Sequence, residues 1–339
     1  MTDSVAAIAR SVLYEGYVLW PYRRTALKNQ RRWTFGGVYP RAYSEAGHAD
    51  DPWLMRTECL VEIDDGAELD VSIRFLHVVD RRIERIEAGG AELVDSLTVA
   101  GTNHVAWQEA VEREIVVRTI RLRDVPDGDI VETPIDIDAG EARETLRDDD
   151  GRTAGVVIRR WDRIAGAVRV SVVDAANAVK RLRIDVTNES AWNGESRDAT
   201  HSRACVSTHT VVRARGAGFV SLADPPAELI QAARECRNIG TWPVLIGAAP
   251  RRDTLLSSPI ILPDYPEVAR ESGGDFFDGA EIDQLLMLSI LSMTPDEQQW
   301  MREADPRTRE ILDRCLAASP DELRRLHGTT REVPIGGTP

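Results

Sequence analysis

The chain is 339 residues long, 42% hydrophobic and 29% charged, with a formal net charge of −14 at pH 7. That length allows two structural units, and the acidity argues against a nucleic-acid partner, because phosphate binding needs a cationic surface. No stretch approaches the roughly 20 apolar residues that cross a bilayer. MTDSVAAIARSVLYEG also lacks the apolar core of a signal peptide, so the expectation is a cytoplasmic protein with no membrane span.

The chain opens on an arm, residues 1–50, whose segment 11–43 crowds Tyr14, Tyr17, Trp20, Tyr22, Trp33, Phe35, Tyr39 and Tyr43 among Arg23, Arg24, Lys28, Arg31, Arg32 and Arg41. Aromatics are only 6% of the whole chain, so their gathering beside arginines marks a recognition surface or a buried anchor. The expected partner-binding residues are Tyr14, Tyr17, Trp20, Tyr22, Arg23, Arg24, Arg31, Arg32, Trp33 and Phe35. Trp20 and Trp33 would point inward, and the arginines would reach carboxylates on another protein. The alternative is an arm that wraps over its own domain with the arginines in water. Lys28 and Lys180 are the only lysines, a bias of GC-rich coding that weakens any claim for the choice of arginine at single sites.

Residues 51–223 alternate in hydrophobicity with period two. Thr57, Cys59, Val61 and Ile63 share one face, and so do Leu69, Val71, Ile73 and Phe75, with Asp64–Ala67 between them as a hairpin turn. The pattern returns at Val111, Ile115 and Val117, at Val168, Val170 and Val172, and at Leu182, Ile184 and Val186. With no long amphipathic helix in this region, an antiparallel β-sandwich is predicted. The acidic stretch from about 124 to 152 is predicted to be a long surface loop.

Residues 224–274 are predicted to cover the sandwich. Asp224 caps a short helix in AELIQAAREC, TWPVLIG forms one short strand, and the proline- and glycine-punctuated run from Leu255 lies across a surface. Residues 275–328 are predicted to be a small helical region, capped at Asp278–Glu281, Thr294–Glu297 and Ser319–Glu322. The tail 329–339 is expected to be disordered.

Asp264, Asp275, Asp278, Glu281 and Asp283 are the candidate metal or acid cluster, since hard cations take carboxylate oxygens gathered on one loop and helix start. Helix capping already accounts for Asp278 and Glu281, and the spacing is not that of an EF-hand. His201, Cys205 and His209 recur every four residues, but on a strand they would spread over about 26 Å, too far for one ion. Ser257, placed in a loop, has no partner base, and neither nucleophile signatures nor phosphate-cradling glycine motifs occur. Cys59, Cys205, Cys236 and Cys315 lack any CxxC spacing and are expected to be reduced, mostly buried thiols. No catalytic residue and no cofactor are assigned, and the balance is against an enzyme.

YEGYVLWPYRRTALKNQRRWTFGGVYPR, LLSSPIILPDYPEVARESGGDFFDGAEIDQLL and TPDEQQWMREADPRTREILDRC together resemble an uncharacterised bacterial family encoded beside uptake NiFe-hydrogenase genes. The resemblance spans almost the whole chain and carries no catalytic motif. It implies a hydrogenase-associated, chaperone-like accessory protein that binds a hydrogenase subunit or maturation factor. His-rich tracts and clustered cysteines are lacking, which puts direct metal delivery in doubt. Two alternatives stand beside it: a hydrolase or metal-dependent enzyme using the acidic loop 264–283, and a permanent structural subunit of a redox complex.

Overall fold

A computed structural model describes residues 36–176 and 179–266, together with the isolated positions 8, 9, 13, 294, 295, 298, 299, 302, 309, 312, 313 and 316. A short helix, α1 (Arg41–Glu45), precedes ten strands: β1 (Leu54–Glu87), β2 (Gly90–Val94), β3 (Ser96–Val99), β4 (Thr102–Val105), β5 (Trp107–Arg121), β6 (Ile130–Ile137), β7 (Gly140–Arg147), β8 (Thr153–Trp161), β9 (Ile164–Ala176) and β10 (Val179–Asn188). Then come α2 (Arg197–Thr200), β11 (Val206–Val220), α3 (Ile230–Arg234), β12 (Trp242–Leu245) and β13 (Thr254–Ser258). The described chain is mainly β, an antiparallel curled sheet with a separate β3–β4 hairpin. The helical region expected over 275–328 and the tail 329–339 lie outside the described residues, apart from the isolated positions.

β1 is the spine. β10 pairs with Leu54–Glu62 and β11 with the stretch from Leu60 to Leu76; their overlap puts them on opposite edges of β1. By the same overlaps β5, paired with Glu68–Arg81, and β2 lie on the β10 edge, whereas β8 lies on the β11 edge. Because β10 and β5 follow one another along a single edge, the sheet divides there into two wings that curl toward each other. Side chains from both wings fill one core: Cys59, Val61, Leu69, Val71, Ile73 and Phe75 of β1 meet Val117 and Ile120 of β5, Ile135 of β6, Val168, Val170 and Val172 of β9, and Leu182, Ile184 and Val186 of β10. The alternation expected for these strands is present.

Two expectations about the strands are corrected. Asp64–Ala67 is not a hairpin turn, because β1 runs on through it. Ile63 stands opposite Ala217 and Glu68 opposite Arg215, so residues 64–67 face Gly216 alone, as a bulge. Gly66 (φ 87°) and Gly216 (φ 62°) supply the left-handed conformations that absorb the extra residues. The stretch 124–152 is not a long loop either, since it contains β6 and β7. Its charges pair with arginines of the neighbouring strands or of the turn between β8 and β9: Glu132 accepts from Arg169 (2.7 Å), Glu144 from Arg159 (2.9 Å) and Asp136 from Arg163 in that turn (2.6 Å).

The outer surface is covered locally. Leu229 and Ala232, around α3, pack on Leu60, Val179 and Val220. The short helix is entered from Pro226 with no side-chain cap, so Asp224 is not its N-cap. On the outer face of β11, β13 and β12, Ile8 and Ala9 meet Val211, Val244, Ile246 and Leu256. Among the described residues no helix is long and apolar enough to cross a membrane.

Candidate functional site

The C-terminal end of the aromatic segment, from Gly36, is described, and it is bound into the body of the protein. Val38 exchanges backbone hydrogen bonds with Cys205 (2.9 and 3.0 Å), Gly36 O accepts from Thr208 N (2.9 Å), and the buried Asn188 donates to Val38 O (2.8 Å) and Arg203 O (2.7 Å). Tyr39 and Tyr43 are both 1% exposed. They lie across α1 from Arg41, whose guanidinium sits 4.4 Å over the Trp53 ring and donates to Glu45. In this part of the arm the aromatics are inward anchors and the arginine faces outward.

Around the two tyrosines a polar and aromatic clamp assembles from three places in the chain. Arg197, on α2, grips Asp51 with a fork of two hydrogen bonds, Nε to Oδ2 (2.8 Å) and Nη2 to Oδ1 (2.7 Å), and also donates to the Tyr39 hydroxyl (3.1 Å). Tyr43 donates to Asp51 Oδ2 (3.1 Å), and Ser44 Oγ to the Asp51 carbonyl (2.6 Å). His48 stacks on Tyr43 at 4.1 Å, Trp192 meets Tyr43 edge-on at 5.6 Å, and His201 lies 5.8 Å from Tyr39. Ser196 positions Arg197 by capping α2, accepting from Ala199 N.

The electrostatics set the protonation state of each group. Burial raises the Tyr39 and Tyr43 phenols, so both stay protonated, Tyr43 as the donor to Asp51 and Tyr39 as the acceptor from Arg197. Burial would raise the Asp51 carboxyl too, but the Arg197 fork outweighs it and the net shift is downward. Desolvation, then the nearby Arg197 charge, push His201 down to about 4, so it is neutral at pH 7. Its Nε2 has no hydrogen-bond partner among the described residues.

Two further buried polar groups tie the outer elements to β1. Glu58, 0% exposed, accepts from Arg183 Nε (2.6 Å) and Arg237 N (2.6 Å), while Asn238 bonds both the N–H and C=O of Glu58, fastening the segment after α3. Ser257 Oγ accepts from Thr57 (2.8 Å) and pairs with Thr241 (2.7 Å). Ser257 therefore sits in strand β13, not in a loop, and its hydroxyl is a strand-to-strand link.

Of the candidate metal cluster only Asp264 is described. Its Oδ2 accepts from Ser221 Oγ (2.5 Å) and its Oδ1 from Leu245 N (2.7 Å), which pins the end of β12. Asp275, Asp278, Glu281 and Asp283 lie outside the described residues, as do Tyr14, Tyr17, Trp20, Tyr22, Arg23, Arg24, Arg31, Arg32, Trp33 and Phe35. His201 lies in a 3-10 turn and His209 in β11, so the expected single strand through His201, Cys205 and His209 is not formed. Among the described residues no group of three or more His, Cys, Asp or Glu side chains is arranged to hold a metal ion. Cys59, Cys205 and Cys236 are free; burial raises all three thiols, Cys236 to about 11.

Sequence reasoning missed Asp51, Trp192 and Arg197, and it singled out His201 only for its spacing with Cys205 and His209. No local motif marks them, since 146 positions separate Arg197 from Asp51. No protein-family model matches the chain, and no curated protein matches it.

Proposed function

We propose that this protein is a non-catalytic accessory, assembly or maturation protein that binds a hydrogenase subunit or maturation factor through its aromatic and arginine-rich arm. The observation that carries the reading is the anchoring of the arm's root. Tyr39 and Tyr43 are buried and clamped, so the residues before Gly36 are delivered from a fixed point on the body, and a fixed origin lowers the ordering cost of a binding segment. The second stretch behind the family resemblance begins beside the same point. A Cβ built on Gly36 would lie 2.4 Å from Pro259 Cγ, so the two segments touch there. The hydrogenase partner itself rests on the resemblance alone.

In this reading the two wings act as a β-sandwich that carries C-terminal helices, and the protein works in the cytoplasm. The test is a tagged pull-down from the native cell at gentle salt, with bound proteins identified by mass spectrometry. Hydrogenase subunits or maturation proteins in the eluate are the expected result, and an eluate containing this chain alone overturns the reading.

A further inference from the structure

We propose that the cleft between the end of β5 and the start of β6 binds a small apolar zwitterion, of the class of hydrophobic amino acids and short apolar peptides. The cleft has a volume of about 470 Å³, within the roughly 300–1,000 Å³ of small-molecule sites. Ile120, Val125 and Val131 line it from the side of the main core, and Ile130, 61% exposed, adds apolar surface. None of these residues belongs to the clamp at the root of the arm.

One wall is basic. β5 bulges opposite Asp70, where Arg118 and Thr119 together face a single residue of β1. The carboxylates of β1 beside it are taken: Asp70 accepts from Thr119 (2.7 Å) and Arg215 (2.7 Å), and Glu68 from Arg121 (3.1 Å) and Arg215 (2.8 Å). Arg118 therefore lines the cleft with no ion pair among the described residues.

The other wall is acidic and fixed. It runs from the 3-10 turn Leu122–Asp124 through the loop into β6. Gly128 N donates to Val172 O (3.0 Å), Asp129 N to Pro126 O (3.0 Å), and Asp127 accepts from Asp174 N of β9 (2.8 Å). Asp129 lines the cleft and, like Arg118, has no ion pair among the described residues.

Two opposite charges thus share one cleft but lie beyond ion-pair distance of each other, on a sheet where charges elsewhere meet across strands, as at Arg169–Glu132 and Arg159–Glu144. A ligand with a carboxylate and an ammonium satisfies both at once, and its apolar body covers Ile120, Val125 and Ile130. A simple anion would meet repulsion from Asp129, and a simple cation from Arg118, so the pair of charges selects against either. The walls are already held in place, so little ordering cost opposes binding.

The test is isothermal titration calorimetry of the full chain at low salt with leucine and with leucyl-leucine. N-acetyl-leucine and leucinamide, which each lack one of the two charges, serve as comparisons. A dissociation constant of roughly 0.1–1 mM is expected for a zwitterion at so open a site, and the tighter of the two shows the length the cleft takes. Each blocked compound should bind about threefold to tenfold more weakly. Arg118→Gln should weaken the zwitterion by a similar factor yet leave leucinamide unchanged, and Asp129→Asn should weaken it yet leave N-acetyl-leucine no weaker, because each variant removes a charge that the blocked compound no longer meets. Both positions are exposed, so neither change touches the core. Absence of binding by both zwitterions up to about 10 mM overturns the proposal. Blocked compounds that bind as well as the zwitterions, or an affinity that neither substitution moves, overturn it equally.

Discussion

Acid should unfold this protein through three buried histidines before its carboxylates titrate. His77, His201 and His209 are 0%, 3% and 0% exposed, and burial lowers each from 6.5 to about 4. The neighbouring charges are Arg113 and Asp162 at His77, Arg197, Asp198 and Asp51 at His201, and Arg74 and Glu112 at His209. The fold keeps each ring neutral, whereas the unfolded chain protonates it near pH 6.5. The stability they contribute is therefore complete above 6.5 and is lost as pH falls toward 4. Between pH 7 and 5 the loss works out at about 2 kcal/mol per histidine, or about 6 kcal/mol for the three, against a typical total of roughly 5–15 kcal/mol. Urea melts at pH 7, 6 and 5 measure it directly. The wild-type midpoint should fall steeply, and His209→Gln should lose about a third of the slope while costing some stability at pH 7. A flat wild-type profile over that window, or an unchanged slope in the variant, would show that these rings are not held neutral by burial.

Arg197→Met should remove the clamp and cost about 1–3 kcal/mol, since Asp51 would keep its burial without the fork; Arg197→Lys should recover only part, as read by thermal melts and by faster proteolysis within 36–51. Gly166→Ala should prevent soluble expression or cost several kcal/mol, because the new Cβ would lie 2.0 Å from Thr187 O, a backbone atom of the paired strand β10; recovery of normally stable protein refutes that packing. Replacing Trp20, Tyr22 and Arg23 together should abolish partner capture in the pull-down while leaving the melting temperature of the β body within a few degrees. Loss of soluble protein would instead make the arm part of the core.

The strands were legible wherever one face met the core, because burial imposes a two-residue period on Cys59, Val61, Leu69, Val168 and Leu182 that no loop maintains. The bulge at 64–67 was misread because Asp-Gly after a strand is the commonest hairpin signal. What overrides it is Gly216 on the partner strand, more than a hundred residues away in sequence. β6 and β7 were hidden by their acidity, which marks a loop only while the arginines of β8 and β9 that neutralise it remain unplaced. Asp264 looked like a possible metal ligand because a carboxylate on a loop has the same local appearance whether it binds a cation or, as here, a hydroxyl and an amide. The clamp was half visible: the density of aromatics drew attention to Tyr39 and Tyr43, but Arg197 and Asp51 meet only through the fold.

The continuity of β1 also governs how the protein can be made. Its N-terminal half finds no partner until β10 and β11 have been synthesised; Glu58 and its partner Arg183 are 125 residues apart. At roughly 5–20 residues per second that interval lasts roughly 6–25 s. Throughout it a strand with one apolar face emerges from the ribosome with both edges open, and the contact order of the finished sheet is correspondingly high. The nascent chain is thus a substrate for holding chaperones by its topology alone, and production at low temperature or with such chaperones should raise the soluble yield more than any single surface substitution.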